Sequence, residues 1–216
     1  ACDTQRLCAP GSSCPTGGPT AGRCTATYEA ENDITLVVLP VSDELMLGFV
    51  LPGDGWTGSC PANGPQLATA SNAATGRMAT VTVDPSAVGE IDVAAYANAQ
   101  SAYTLEALRA QGVQAEGAPA QMMGNGIYVL TFRVDDGQGA NLLQFNAYHV
   151  IPTHSGLLRY HISQTGGDPD ALNAAAPTLL NAVRAFGGAQ VVVVRMLGQG
   201  LGDTGIQQLR IGRQVT

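Results

Sequence analysis

The chain has 216 residues, only 12% of them charged, and a net charge of −7 carried with ten cationic side chains, all arginine. This balance argues against a phosphate-neutralising nucleic-acid face and against a basic membrane-surface helix. No apolar run reaches the roughly 20 residues of a transmembrane helix; the run Val191 to Val194, for example, is strand-sized.

The charged fraction is about half that of an ordinary soluble domain. Ala, Gly, Thr, Gln and Asn take its place, so the surface is neutral-polar. Arginine without lysine reads as coding bias in a GC-rich genome.

Residues 1–27 form a Cys-rich head. Cys2, Cys8, Cys14 and Cys24 stand in a Gly, Pro, Ser and Thr background that cannot build an apolar core, and Cys60 is the fifth cysteine. Disulfides are the natural stabiliser of such a segment in an oxidising compartment. Zinc would want closer cysteine pairs. The odd count leaves one thiol over. Cys2 follows the small Ala1, as at the cleavage site of a bacterial lipoprotein, which would make Cys2 a lipid anchor and pair the other four. Cleavage before Ala1, with Cys2 paired and another cysteine free, is the alternative. The sequence shows no signal peptide, which an exported chain loses on maturation.

Strand patterns follow at 34–39 and 45–51, then the turn Pro52-Gly53-Asp54-Gly55-Trp56. Residues 57–76 read as loop. Met78 to Asp84 alternates, with Ala79, Val81 and Val83 on one face and Thr80 and Thr82 on the other. Asp92 to Gln111 is expected to be a helix ending at Gly112, with Val93, Tyr96, Ala97, Leu105 and Leu108 as its stripe. Strands are expected at 126–135, 140–151 and 156–164, joined by hairpin-sized links at Asp135–Gly139 and Pro152–Gly156. Asp168 caps a second helix with Pro169 at its first position. Leu172, Ala176, Leu179, Val183 and Phe186 are its buried stripe, and Gly187-Gly188 ends it. A strand at 190–195 and a Gly-rich tail, 196–216, close the chain. The order β-β-β-α-β-β-β-α-β with short links implies an α+β fold on an antiparallel sheet. The body spans 28–195, and no fixed repeat is visible.

Alternation sorts the last three strands by face. Leu143, Phe145, Ala147, His149 and Ile151 are expected to join Leu158, Tyr160 and Ile162, and Tyr128, Leu130, Phe132 and Val134, in one apolar layer beneath both helices. The opposite face then carries Thr131, Arg133, Gln144, Asn146, Tyr148, Arg159, His161 and Ser163. That face is either plain solvated sheet or a recognition surface rich in Arg and Tyr. Its candidate partner-binding residues are Arg133, Gln144, Asn146, Tyr148, Arg159 and His161.

No catalytic set emerges. His149, His154 and His161 are expected on different faces, which separates them as metal ligands. No G-x-S-x-G motif occurs, and Ser155 beside His154 in a turn is no nucleophile and base pair. "GQGLGDTG" (198–205) leaves too few residues for a βαβ unit. Asp135-Asp136 lacks the ligand pattern of a calcium loop. Met122-Met123 reads as a loop anchor rather than a copper site. Gln208 to Val215, with Arg210 and Arg213, reads as a terminal segment on its own domain rather than a strand added to a neighbour. No cofactor or metal is expected.

Across residues 45–187 the chain resembles the PsbP-like family, which includes the exported bacterial DcrB and LpqN groups. The likeness rests on "GFVLPGDGW" (48–56), "ATVTVDP" (79–85), the helix from 92, "GIYVLTFRV", "LLQFNAYHVIP" and "LLRYHISQT" in that order, and a closing helix ending "VRAFG". The head, the Cys60 loop and everything after 187 depart from it. The resemblance implies an antiparallel sheet between helices, an α/β/α sandwich, and an accessory or partner-binding role without shared catalytic residues.

The expected function is therefore that of a non-enzymatic exported accessory protein. It would bind or support a protein partner in the periplasm, at the outer membrane or in a surface assembly. A small-ligand-binding module and a hydrolase with unrecognised residues are the alternatives.

Overall fold

Alternation along the strands and the i, i+4, i+7 stripes of two helices set the layers. The computed structural model describes residues 25–40, 46–59, 66–85, 91–135, 141–153 and 156–188. The strands are β1 (Thr25–Glu29), β2 (Ile34–Pro40), β3 (Met46–Pro52), β4 (Thr57–Ser59), β5 (Gln66–Asn72) and β6 (Arg77–Asp84), followed by helix α1 (Val93–Ala110). Then come β7 (Gln114–Gly117), β8 (Gln121–Gly124), β9 (Ile127–Asp135), β10 (Asn141–Thr153), β11 (Gly156–Gly166) and helix α2 (Pro169–Gly188).

Strands β1-β2-β3 form a small sheet. A second sheet of eight strands runs β4-β5-β6-β11-β10-β9-β7, with β8 also on β9. Every pairing is antiparallel. The α+β class and antiparallel architecture are as the sequence implies, but there are two sheets where one was expected. Strands β4 and β5 replace much of the expected loop at 57–76. Strand β5 hid because it buries small residues, Ala68 and Ala70, whose β signal is weak. Met122 and Met123 lie in β8 and not in a loop. All five cysteines, His154, Ser155, the 190–195 strand and the tail motifs lie outside the described residues.

Register corrects the expected faces. Ala147 of β10 stands opposite Val129 of β9 and Ile162 of β11, while Tyr148 stands opposite Tyr128 and His161. Tyr128, Leu130 and Phe132 therefore share a face with Tyr148, Asn146 and Gln144, not with Ala147. A one-residue difference in register moves every side chain of a strand to the other face. Ile127 through Leu130 are buried without a break, because β9 packs on both sides. In such a strand alternation cannot choose the register.

Each helix covers one face of the large sheet, rather than both covering the same face. Helix α2 packs on β10, β11 and β3, and α1 on β7 and β9. Leu172, Leu179, Val183 and Phe186 are buried as their spacing implies. Of these, Leu179, Val183 and Phe186 meet Ala147, Tyr160 and Ile162 from the large sheet and Phe49 and Leu51 from the small one. Ala97 joins Tyr128, Leu130, Phe132 and Tyr148 on the other side. Asp92 caps α1 by accepting from the N–H groups of Ala94 and Ala95. Gly112 takes φ +79° just past its end. Asp168 caps α2, accepting from the Asp170 N–H at 2.9 Å. No helix among the described residues is long and apolar enough to cross a membrane.

Tyr160 ties the layers together. Its ring lies 5.5 Å from Phe49 and 4.8 Å from Phe186, and its hydroxyl donates to the Val50 carbonyl at 3.0 Å. Tyr160→Phe should cost about 1 kcal/mol by chemical denaturation, the net worth of a part-buried hydrogen bond. A change within experimental error would mean that the small sheet is not docked through this bond.

Candidate functional site

Because α1 lies over β9 and β7, it leaves the neighbouring part of that face open. Its floor is half-buried Thr69 of β5, exposed Met78 and half-buried Thr80 and Thr82 of β6, and half-buried Arg159 and His161 of β11, with Ser163 buried at its edge. Cross-strand pairing puts these on one side. The wall is α1, whose Tyr96, Gln100 and Tyr103 recur at helical spacing along one stripe.

Arg159 joins wall to floor. Its Nη1 donates to Gln100 Oε1 at 2.5 Å and to the Tyr96 hydroxyl at 3.5 Å, and its Nε donates to Thr82 Oγ1 at 3.2 Å. The Tyr96 hydroxyl in turn donates to Asp84 Oδ2 at 3.5 Å. The guanidinium is thus held flat between two strands and a helix.

His161 is held from both sides. Asn146 Nδ2 donates to the Leu130 carbonyl at 3.3 Å, which turns its Oδ1 toward His161 Nε2, 3.0 Å away. Nε2 therefore carries the hydrogen, and Nδ1 accepts from the Thr80 hydroxyl at 3.4 Å. Burial, with the Arg159 charge as a smaller cause, lowers the imidazole to about 3. The half-buried ring is neutral across the ordinary pH range.

An aromatic column runs beneath it. His161 stacks on Tyr148 at 4.4 Å and Tyr148 on Tyr128 at 4.7 Å, both nearly parallel, while Tyr96 meets Tyr128 edge-on at 6.5 Å. Burial raises the phenols of Tyr128, Tyr96 and Tyr148, the last to about 12 despite the opposing pull of Arg159. All three stay protonated. The Tyr128 hydroxyl is buried without a hydrogen-bond partner among the described residues.

Of the six residues expected on one face, five share it: Gln144, Asn146, Tyr148, Arg159 and His161. Arg133 does not. It pairs with Leu143 and points to the α2 side, where it is exposed. Asn146 and Tyr148 are 3% and 8% exposed and so serve as support, not contact surface. His149 is buried on the opposite face from His161, its Nδ1 2.8 Å from the Val183 carbonyl. Among the described residues no group of three His, Cys, Asp or Glu side chains could hold a metal. Tyr96, Gln100 and Tyr103 were not singled out together from sequence, although their spacing was the available signal.

Such a site favours binding over proton transfer. A base works best with a pKa near the working pH, and His161 is far below it with both nitrogens occupied.

No family model matches the sequence, and no curated protein matches it. Solved structures similar to the chain include the solution structure of cyanobacterial PsbP (CyanoP) from Synechocystis sp. PCC 6803. The identity there is 16%, the coverage is 82% of this chain and 97% of that one, and the TM-score is 0.42. Another is the crystal structure of LpqN, involved in cell envelope biogenesis of Mycobacterium tuberculosis, at 17% identity, covering 79% and 83%, with a TM-score of 0.33. Both carry names from the PsbP-like group that the sequence resembles.

The His161 shift has a direction in pH. The unfolded imidazole titrates near 6.5 and the folded one near 3. Its contribution to stability is complete above the unfolded value and is lost as pH falls from there toward 3. Denaturation midpoints followed from pH 7 to 4 should therefore drop less steeply in His161→Gln than in the parent, by the slope of about one proton. An imidazole C–H resonance of His161 titrating near its ordinary value would contradict this.

Proposed function

We propose that the protein is a non-enzymatic exported accessory protein that binds a protein partner in the cell envelope or a surface assembly. The contact surface is the open strip beside α1. One observation carries this reading: half-buried Arg159 and His161, already ordered by their own hydrogen bonds, lie on a face that also exposes Met78, with Tyr103 exposed on the bordering helix. Met78 is 43% and Tyr103 68% exposed. Arg, Tyr and Met are residue types enriched at interfaces. Side chains fixed in advance lose less entropy on association. The family that the sequence resembles, one of accessory and partner-binding proteins, supports the same role.

Export is supported by the cysteine-rich head, with two bridges among the five cysteines and Cys2 either the lipid anchor or one of the bridged residues. Mass spectrometry of the unreduced protein should find two disulfides. Five free thiols would remove the case for an oxidising compartment.

Met78→Glu with Tyr103→Ala tests the strip. Both residues are exposed, so stability should change by less than about 0.5 kcal/mol each. Proteins that co-purify with the chain from native envelopes should be lost. Arg133→Ala, on the opposite face, should leave them in place. Retention in the double variant, or loss in the Arg133 variant, would refute the assignment.

A further inference from the structure

A second surface lies at one end of the large sheet and is independent of the strip. The turn between β8 and β9 places Gly124, Asn125 and Gly126 in succession at φ +82°, +51° and +75°. The Gly126 carbonyl accepts from the Val150 N–H at 2.9 Å, which holds the turn against β10. A Cβ at Gly126 would lie 2.4 Å from the Val150 carbonyl oxygen and 3.6 Å from His149 Cδ2. The Val150 carbonyl and the positive φ thus hold this position to glycine, and the His149 ring lies at ordinary contact distance beside it.

Beside this turn is a cavity of about 710 Å³, lined by apolar Ile127, Val150, Ile151 and Met123, with His149 in its wall and Arg184 at its edge. The volume falls within the roughly 300–1,000 Å³ of small-molecule sites. His149 is only 8% exposed. Its Nδ1 faces the Val183 carbonyl at 2.8 Å, and a carbonyl can only accept. Nδ1 therefore carries the hydrogen and Nε2 keeps a lone pair. The Cδ2 edge beside Nε2 lies toward Gly126, a lining residue. The hydrogen bond that His149 makes within the fold is the one at Nδ1. Nε2 is not among the fully buried polar atoms left without a partner, so it is open to a donor that enters from the cavity. The exposed Arg184 has neutral Asn181 as its hydrogen-bond partner, at 3.4 Å.

We infer that this cavity binds a small molecule with an apolar body, one hydrogen-bond donor for His149 Nε2 and an anionic group for Arg184. The apolar lining receives the body, and the imidazole selects for a donor because it has only an acceptor to offer. The guanidinium selects for negative charge on an otherwise acidic chain.

The dye 1-anilinonaphthalene-8-sulfonate has this chemistry: a naphthalene body, an anilino N–H and a sulfonate. Titrated into the full folded chain, it should bind at a saturable site and shift the amide resonances of Gly124 to Ile127 and of Val150 and Ile151. Met123→Trp fills the cavity from an exposed position and should weaken binding about tenfold or more, and Arg184→Gln should weaken it severalfold. His149→Phe should also weaken it. If that variant misfolds, the other two still decide. Absence of saturable binding would overturn the inference. So would unchanged affinity in Met123→Trp and Arg184→Gln, or shifts confined to the strip around Thr80 and Arg159.

Discussion

Strand β10 is buried on both faces along its middle, and everything else is arranged around that. Ala147 and His149 face α2, while Asn146, Tyr148 and Val150 face α1. Its register against β9 and β11 is therefore fixed twice, once by each layer. A slip of one residue would put Tyr148 under α2 and Ala147 in the aromatic column, losing packing on both sides. That double burial is what permits a buried Asn146 and a buried His149 in the same strand. Each is placed so that a carbonyl from a neighbouring element receives its hydrogen bond: Leu130 for Asn146 and Val183 for His149.

The two layers cover the sheet unequally, and the difference makes the candidate surfaces. Helix α2 and the small sheet together bury the β6–β11–β10 side. Helix α1 alone buries the other side, and only toward β9. Its apolar stripe is thin, with Ala97 as its fully buried hydrophobic residue. The remainder of that face is closed by hydrogen bonding instead of by packing. Arg159, His161, Asn146, Thr80 and Thr82 satisfy one another there, which fits the expectation that half-buried polar groups are paired. The result is an ordered polar floor beside a helix edge. The groove beside Gly126 arises differently, from a tight left-handed turn that stops short of the His149 ring.

The two surfaces also differ in the chemistry they offer. The strip presents groups whose hydrogen bonds are already made, so recognition there depends on shape and on exposed Met78 and Tyr103. The groove presents one open acceptor and one cation within an apolar wall, so recognition depends on a ligand that supplies their counterparts. Proteins commonly combine a rigid scaffold with recognition at its edges, and both surfaces here are of that kind.

Much of this was legible in the residues themselves. The stripe Leu172, Leu179, Val183 and Phe186 declared α2 and its buried face, Asp168 declared its start, and Gly112 declared the end of α1. Alternation in β6 and β11 placed Thr80 and Thr82 apart from Val81, and His161 apart from Tyr160. These are local properties, set by helical and strand periods within one element. Register across strands is not local. Nothing in "GIYVLTFRV" tells which of two apolar faces meets which helix, so Arg133 was grouped with Arg159 when the fold sets them on opposite sides. Strand β5, built from alanines, was silent for the same reason: its burial comes from its neighbours, Trp56 and Ala79, not from its own side chains. The sequence by itself determined the two helices, their ends and the alternation of the long strands β6, β9, β10 and β11, because short-range geometry governs these. Only the tertiary structure decided which faces were paired and left open, because that depends on contacts between residues far apart in the chain.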